Sequence, residues 1–320
     1  MTLSEQFEKQ TKLLTKELEA ILTPLSSVPE VCVLIKETLT VEGRRASITG
    51  IQKPWPLLPL AVAKSISEGY EQVVPAAVAI QLLMAAGDVF DDIEDSDKSD
   101  SISSKYGPAI ATNVGTTMLI LAETALTRIR TELVNEKAIL NTIKGINSYF
   151  TKACLGQHLD LSIDYSILSE NKYLDIINLK SASQIECCCY TGAALATQNN
   201  DVIKLFSVFG RNLGMAAQIS NDIMGVVNER DYLKRKINLP VLFALEHADD
   251  VSKSILRNFY YSLSSIKEND NKFVKTVLFD SGAIQYASLQ LSLYLEFAKE
   301  TLSELQHLGI STAQLEDFLN

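Results

Sequence analysis

Apolar residues recur every three or four positions along "TKLLTKELEAIL", "TTMLILAETALTRIRTELV", "YLDIINLKSASQIECCCYTGAALA" and "QYASLQLSLYLEFAKETLSEL". That spacing lines one face of an α-helix, whereas a half-buried strand alternates apolar and polar residues. No alternating stretch of useful length occurs. Only 14 glycines and 8 prolines punctuate the chain. The breaks fall at "EGRRASITGIQKPWP", "SDKSDSISSKYGP", "DYSILSENK", "TQNN" and "NERDYLKRKINLP". The expectation is all-α: one domain over residues 1–320, a bundle of about ten to twelve helices around a central apolar cavity.

Hydrophobic residues make up 47% of the chain and charged residues 21%, enough apolar material for a large core. The net charge of −10 argues against a nucleic-acid partner, which calls for a basic face. No stretch reads as about 18 uncharged apolar residues, the length of a spanning helix. "MTLSEQFEKQTKLLTKELEAIL" is amphipathic and lacks the apolar core of a signal peptide, so a cytoplasmic location is expected. Cys32, Cys154 and the run Cys187–Cys189 contain no C-x-x-C pair. They read as small buried apolar side chains in a reducing compartment.

The apolar run "VVPAAVAIQLLMAAG" leads into "GDVFDDIEDSD", Gly87 to Asp97, which holds six acidic residues in eleven positions. Asp91, Asp92 and Asp95 share one helical face, with Asp88 a turn earlier. Like charges this close repel, so water or a bound cation must compensate. A second cluster lies in "MAAQISNDIMGVVNERD", where Asn221, Gly225 and Glu229 are spaced i, i+4, i+8 and Asp222 follows Asn221. On a helix Asn221, Asp222 and Glu229 would fall on one side, with room at Gly225. Oxygen donors without histidine or cysteine favour Mg²⁺ or Mn²⁺ over zinc. Two such faces suggest metal ions holding a polyanion, a diphosphate above all. Lys180, inside an apolar helix, and Lys236, with Arg230, Lys234 and Arg235 near it, are candidate cations for that anion.

These residues resemble the trans-isoprenyl diphosphate synthase superfamily. "DDIED" is similar to its first aspartate-rich D-D-x-x-D motif. "GQHLDL" (Gln157, Asp160), "LKSASQI" (Lys180, Ser181) and "QISND" (Gln218 to Asp222) followed by "KINLPVLFAL" resemble its later motifs, in order. The resemblance implies an isoprenoid-synthase fold with three Mg²⁺ ions bridging the aspartate motifs to an allylic diphosphate. Asp91, Asp92, Asp95 and Asp222 would then be catalytic, and Asn221 and Glu229 would join them as metal ligands. Lys180, Gln218, Arg230 and Lys236 would bind the diphosphate. Leu83, Ala86, Gly87 and Gln157 would line the prenyl cavity, whose small residues suit a farnesyl-length or longer chain, geranyl being the shorter option. The superfamily also implies a homodimer.

The chain departs from the pattern where a second diphosphate would bind. The G-G-K-R-x-R-P segment is replaced by "EGRRASITGIQKPWPLL", with Lys53 retained, and the R-R-G after the first motif by "SSKYGPA". The second motif, D-D-x-x-D in the superfamily, reads "NDIMG". One reading is transfer of the prenyl group to a peptide, because the first motif and "GQHLDL" resemble the ComQ-type peptide prenyltransferases. A second is a terpene synthase, since "NDIMGVVNE" fits the N-D-x-x-(S/G)-x-x-x-E metal motif of class I cyclases. A third is ordinary chain elongation, or the regulatory subunit of a chain-elongating enzyme.

Overall fold

The computed structural model describes residues 7–41, 44–48, 53–94, 100–229, 231, 235–261 and 268–319. Among them every regular element is a helix and none is a strand, as the periodicity requires. Short helices such as Ile102–Tyr106 and Ala313–Glu316 add to the long ones expected. The chain divides into two compact units. One comprises Met1–Phe150, Gln184–Val208 and Thr301–Asn320; the other comprises Thr151–Ser183 and Phe209–Glu300.

In the first unit, α1 (Glu8–Leu22), α2 (Pro29–Thr40), α3 (Leu58–Ile66), α4 (Val74–Glu94), α5 (Ile102–Tyr106) and α6 (Pro108–Leu126) follow one another. The rings of Phe7 and Trp55 both pack on Phe318, at centroid distances of 5.6 and 6.0 Å. α4 is rich in alanine and leucine, good helix formers, and is buried on most sides from Val74 to Ala86. α6 packs along it. α4 with its leading turn, Glu71–Glu94, and α6 are each long and apolar enough to cross a membrane by length and composition. Neither contains 18 successive uncharged residues, which agrees with the sequence expectation. In α4, 78% of the most apolar window is buried inside the protein, so its apolarity is accounted for by the core.

The periodicity through "TTMLILAETALTRIRTELV" predicts one helix to Val134, but α6 ends at Leu126. Thr127 Oγ1 donates back to the Thr124 carbonyl at 2.7 Å, and Arg128 reaches Glu17 of α1 at 2.6 Å. Side chains that bond locally compete with helix propagation in this way. A new helix, α7 (Glu136–Ser162), then starts where Asn135 Oδ1 accepts from the Ala138 amide at 2.8 Å.

α7 leads from the first unit into the second, which continues with α8 (Glu170–Ile177), a π-helical turn (Asn178–Ala182) and the start of α9 (Ser183–Ala196). It resumes in α10 (Asn200–Val227) and continues through α11 (Leu239–His247), α12 (Asp250–Tyr261), α13 (Glu268–Asp280) and much of α14 (Ala283–His307). Its core gathers Tyr173, Ile177, Met215, Ile219, Leu239 and Leu278, among others. Cys187, Cys188 and Cys189, in the part of α9 that belongs to the first unit, are all fully buried. Three successive residues point about 100° apart, so α9 is enclosed on every side there, and burial pushes the Cys187 thiol up to about 12. Cys154 is exposed and Cys32 half-buried, so only the triple run matches the expected burial.

Candidate functional site

The first acidic cluster ends α4. Carboxylates in the last turns of a helix meet the negative end of its dipole, where cations are favoured and anions are not. Asp92, 7% exposed, accepts from Arg44 Nη2 with both carboxylate oxygens, each at 2.7 Å. Burial works against the Arg44 charge, but the Asp92 hydrogen bond and the nearby Asp88 and Asp91 outweigh it and raise the guanidinium pKa. Asp88 lies a turn earlier, and burial raises its pKa against the opposing pull of Arg45 and Arg44. Its Oδ2 is buried with no hydrogen-bond partner among the described residues. Arg44, Asp88, Asp92, Glu37, Thr38 and Ser101 line a small pocket there. Asp95 lies outside the described residues.

On the same helix Leu83 is half-buried, Ala86 is fully buried, and Gly87 is exposed, with open space where a Cβ would stand. Lys53 does not stand open as a cation. It donates to the Phe318 carbonyl oxygen at 2.7 Å and sits 5.9 Å from the centre of the Trp55 ring. Burial lowers its pKa to about 8.

The second cluster, in the other unit, differs from the single helical face expected. α10 ends at Val227, and Glu229 lies beyond it with φ +62°, where it pairs with Lys275 at 2.7 Å. A left-handed residue terminates the helix, so Glu229 cannot share the face of Asn221. Asn221 is exposed, whereas Asp222 is 2% exposed. One helical step of about 100° separates them, and it turns Asp222 into the core. There Tyr173 Oη donates to Asp222 Oδ2 at 2.6 Å and Gln218 Nε2 donates to Oδ1 at 2.9 Å. Burial still raises the Asp222 pKa to about 6, against the lowering pull of Tyr173, Gln218 and Lys236.

The intervening motifs meet at this carboxylate. Ser181 Oγ donates to Gln218 Oε1 at 2.7 Å, so both ends of the Gln218 amide are used within the protein. Lys180 pairs with Asp160 at 2.7 Å, which joins "LKSASQI" to "GQHLDL". Both Lys180 and Ser181 lie in the π-helical turn, an irregularity often found at functional sites. Gly156 permits that arrangement: a Cβ there would overlap the Lys180 backbone. Gln157, its neighbour, is half-buried. Lys236 is exposed, and Arg230 lies outside the described residues.

Four further residues belong to these clusters. Arg44 neutralises Asp92, and Tyr173 orients Asp222. Asn238 caps α11 by accepting from the Val241 amide at 3.3 Å, while its Nδ2 donates to Asp231 Oδ2 at 2.8 Å. Its place in "KINLP" was the signal, because an asparagine carries a donor and an acceptor on separate atoms. Asp231, 6% exposed, carries no sequence signal beyond its charge.

The donor set suits a hard divalent cation. Every acidic group in the clusters offers oxygen, both clusters sit near helix C-termini, and the Asp88 oxygen is an acceptor held away from water. Among the described residues no three acidic, histidine or cysteine side chains converge enough to hold a metal alone. Magnesium commonly completes its shell with water and substrate phosphates, so this is compatible with it.

The polyprenyl synthetase family model matches residues 53–277. The chain is 32% identical over 233 residues to the tryptophan prenyltransferase ComQ of Bacillus subtilis subsp. natto, covering 72% of this chain and 69% of that protein. It is 25% identical over 265 residues to the geranylgeranyl diphosphate synthase of Methanosarcina mazei, covering 78% of this chain and 79% of that one. The crystal structure of geranylgeranyl pyrophosphate synthase from Corynebacterium glutamicum, complexed with isoprenyl diphosphate and magnesium, shares the fold. Its TM-score is 0.80 at 17% identity, with 100% of this chain and 97% of that chain covered. The chain therefore belongs to the polyprenyl synthetase family, within the trans-isoprenyl diphosphate synthase superfamily, whose members are prenyltransferases.

Proposed function

We propose that the protein ionises an allylic isoprenyl diphosphate, geranyl or farnesyl or longer, and transfers the prenyl group to an acceptor other than isopentenyl diphosphate. The acceptor in this reading is the indole ring of a tryptophan in a peptide. The observation that carries it is the engagement of the cations before α3: Arg44 is bound to Asp92 and Lys53 to the Phe318 carbonyl. A second diphosphate would need those charges. An aromatic acceptor does not. The likeness to a tryptophan prenyltransferase supports the same choice.

In the proposed reaction the allylic C–O bond breaks heterolytically and pyrophosphate leaves with the electron pair. An indole carbon supplies the pair for the new C–C bond, and a proton leaves the ring. Mg²⁺, when bound, supplies the positive charge that stabilises the departing diphosphate. In this reading Asp91, Asp92 and Asp95 hold it at the end of α4, Asn221 and Asp222 are the candidate ligands of the second cluster, and Glu229, paired with Lys275 beyond the end of α10, is set aside. Lys180, Lys236 and Arg230 bind the diphosphate oxygens. Gln218, through its Asp222 and Ser181 bonds, keeps one ligand oriented. The apolar side of α4 at Leu83, Ala86 and Gly87 receives the prenyl chain and keeps water from the cation.

Chain elongation is the second reading, favoured by the likeness to the M. mazei synthase. Cyclisation by a terpene synthase loses support, because its metal motif needs Glu229 on the helix that carries Asn221. The test is one incubation with Mg²⁺ and farnesyl diphosphate in three forms: alone, with isopentenyl diphosphate, or with a tryptophan-containing peptide. Consumption only with peptide, and a peptide heavier by one prenyl group, supports the proposal. Growth of the prenyl chain with isopentenyl diphosphate supports elongation, and hydrocarbon from farnesyl diphosphate alone supports cyclisation.

A further inference from the structure

A pocket of about 230 Å³ opens in the second unit, and none of the residues of the second acidic cluster lines it. Its walls come from three places. The turn before α8 and Glu170 of α8 form one, Leu242, Leu245 and Glu246 of α11 the second, and Arg257 and Tyr261 of α12 the third. Asp164 builds the turn: its Oδ1 accepts from the Ser166 amide at 2.9 Å and from the Ser166 hydroxyl at 2.6 Å. Ser169 then caps α8.

The walls carry opposite charges that do not meet. Tyr286 Oη donates to Glu170 Oε1 at 2.5 Å, and Phe243 stacks on that ring at a centroid distance of 4.3 Å. Burial and then Glu170 raise the Tyr286 pKa to about 12, and Glu246 adds to the rise, so both carboxylates lie on the Tyr286 side. Arg257 acts elsewhere. Burial raises the Tyr261 pKa, Arg257 pulls it down and Asp164 adds to the rise. Glu246 and Arg257 are both exposed, and neither has an ion pair among the described residues. Opposite charges held apart across apolar side chains complement an occupant that carries both signs. The volume is below the roughly 300 Å³ at which sites enclose a whole small molecule, so the pocket suits one or two side chains of a longer chain.

We propose that this pocket docks the peptide acceptor, taking a lysine or arginine side chain between Glu170 and Glu246 and a neighbouring carboxylate at Arg257. The proposal rests on the peptide-acceptor reading above. Leu242 and Leu245 supply an apolar wall for the methylene stem of a basic side chain, whose charged end reaches the carboxylates. α11 also sets the distance to Asp222. Asn238, which caps that helix, reaches the Asp222 carbonyl oxygen at 3.4 Å. Glu246 lies two turns further on, roughly 12 Å by the helical rise. Extended peptide covers that span in about four residues.

The experiment measures kcat and KM for prenylation of synthetic tryptophan peptides by the full chain with Mg²⁺ and farnesyl diphosphate. The peptides carry a Lys-Glu pair about four, six or eight residues from the tryptophan, or Gln-Gln in its place. The enzymes are wild type, Glu246→Gln and Arg257→Gln, both at exposed positions, so the fold is retained. For wild type the charged pair is expected to lower KM by roughly two- to fivefold at one spacing or more, the scale of an exposed ion pair, with kcat unchanged. Each substitution is expected to reduce that advantage and leave the Gln-Gln peptides as they were, a pattern that lost packing would not give. Equal KM for charged and neutral peptides, an advantage that survives each substitution, or substitutions that raise KM for every peptide alike would overturn the inference and leave the proposed function standing. A wild type that prenylates no peptide would overturn both.

Discussion

Arg44 Nη2 lies 2.7 Å from each carboxylate oxygen of Asp92. This pair ties the segment before α3 to the acidic end of α4, and it occupies a carboxylate proposed as a metal ligand. Replacing Arg44 with Gln leaves Asp92, 7% exposed, without its charge partner. The metal-free protein is expected to lose about 1–3 kcal/mol, the usual cost of an unsatisfied buried acceptor. Mg²⁺ should stabilise Arg44→Gln more than wild type, because no arginine competes for Asp92. Urea denaturation of both proteins with and without Mg²⁺ reads the difference. Equal stabilisation would show that Arg44 and the metal do not share this carboxylate.

Tyr173→Phe removes only the hydroxyl that donates to Asp222 Oδ2 at 2.6 Å. The expected loss is about 1–3 kcal/mol, since the acceptor is buried. Denaturant unfolding measures it. A neutral substitution would mean that Gln218 alone satisfies Asp222.

Gly156→Ala places a methyl group against the Lys180 backbone in the π-helical turn. Overpacking of this kind costs about 1–3 kcal/mol, and the shift should also disturb the Lys180–Asp160 pair. Thermal unfolding is the check, and an unchanged midpoint would contradict the close approach.

Lys53 supplies a pH test away from the acidic clusters. Burial lowers its folded pKa from 10.5 to about 8. Between those values the unfolded chain holds a proton that the folded one does not, so stability rises with pH across that window. Below about pH 8 the buried charge is a cost, and Lys53→Met removes it together with the titration. The wild-type minus Lys53→Met difference in unfolding free energy should therefore increase from pH 8 to 10. A flat difference would show that Lys53 titrates normally.

The sequence exposes the helices because burial of one face imposes the 3.6-residue period, and it exposes the first motif because aspartates so concentrated need a cation. It does not reveal that α6 stops at Leu126, because the break is made by Thr127 and Arg128 bonding locally and to Glu17. Spacing alone puts Glu229 with Asn221, but spacing assumes a helix that ends two residues too soon. Tyr173 and Asp231 are invisible in advance because they reach Asp222 and its turn through tertiary contacts. The attachment of Arg44 to Asp92, 48 positions along the chain, is likewise not legible.

In the proposed function the carboxylates at the end of α4 hold Mg²⁺ against an allylic diphosphate. The most direct test of that role is pyrophosphate release from farnesyl diphosphate and a tryptophan-containing peptide, measured for wild type and Asp92→Ala over a Mg²⁺ titration. Mg²⁺-dependent release by the wild type is expected, with a loss of at least about a hundredfold in Asp92→Ala, the scale of removing one strong electrostatic contact in a transition state. Release by Asp92→Ala at the wild-type rate, or wild-type release unaffected by removing Mg²⁺, would contradict that role.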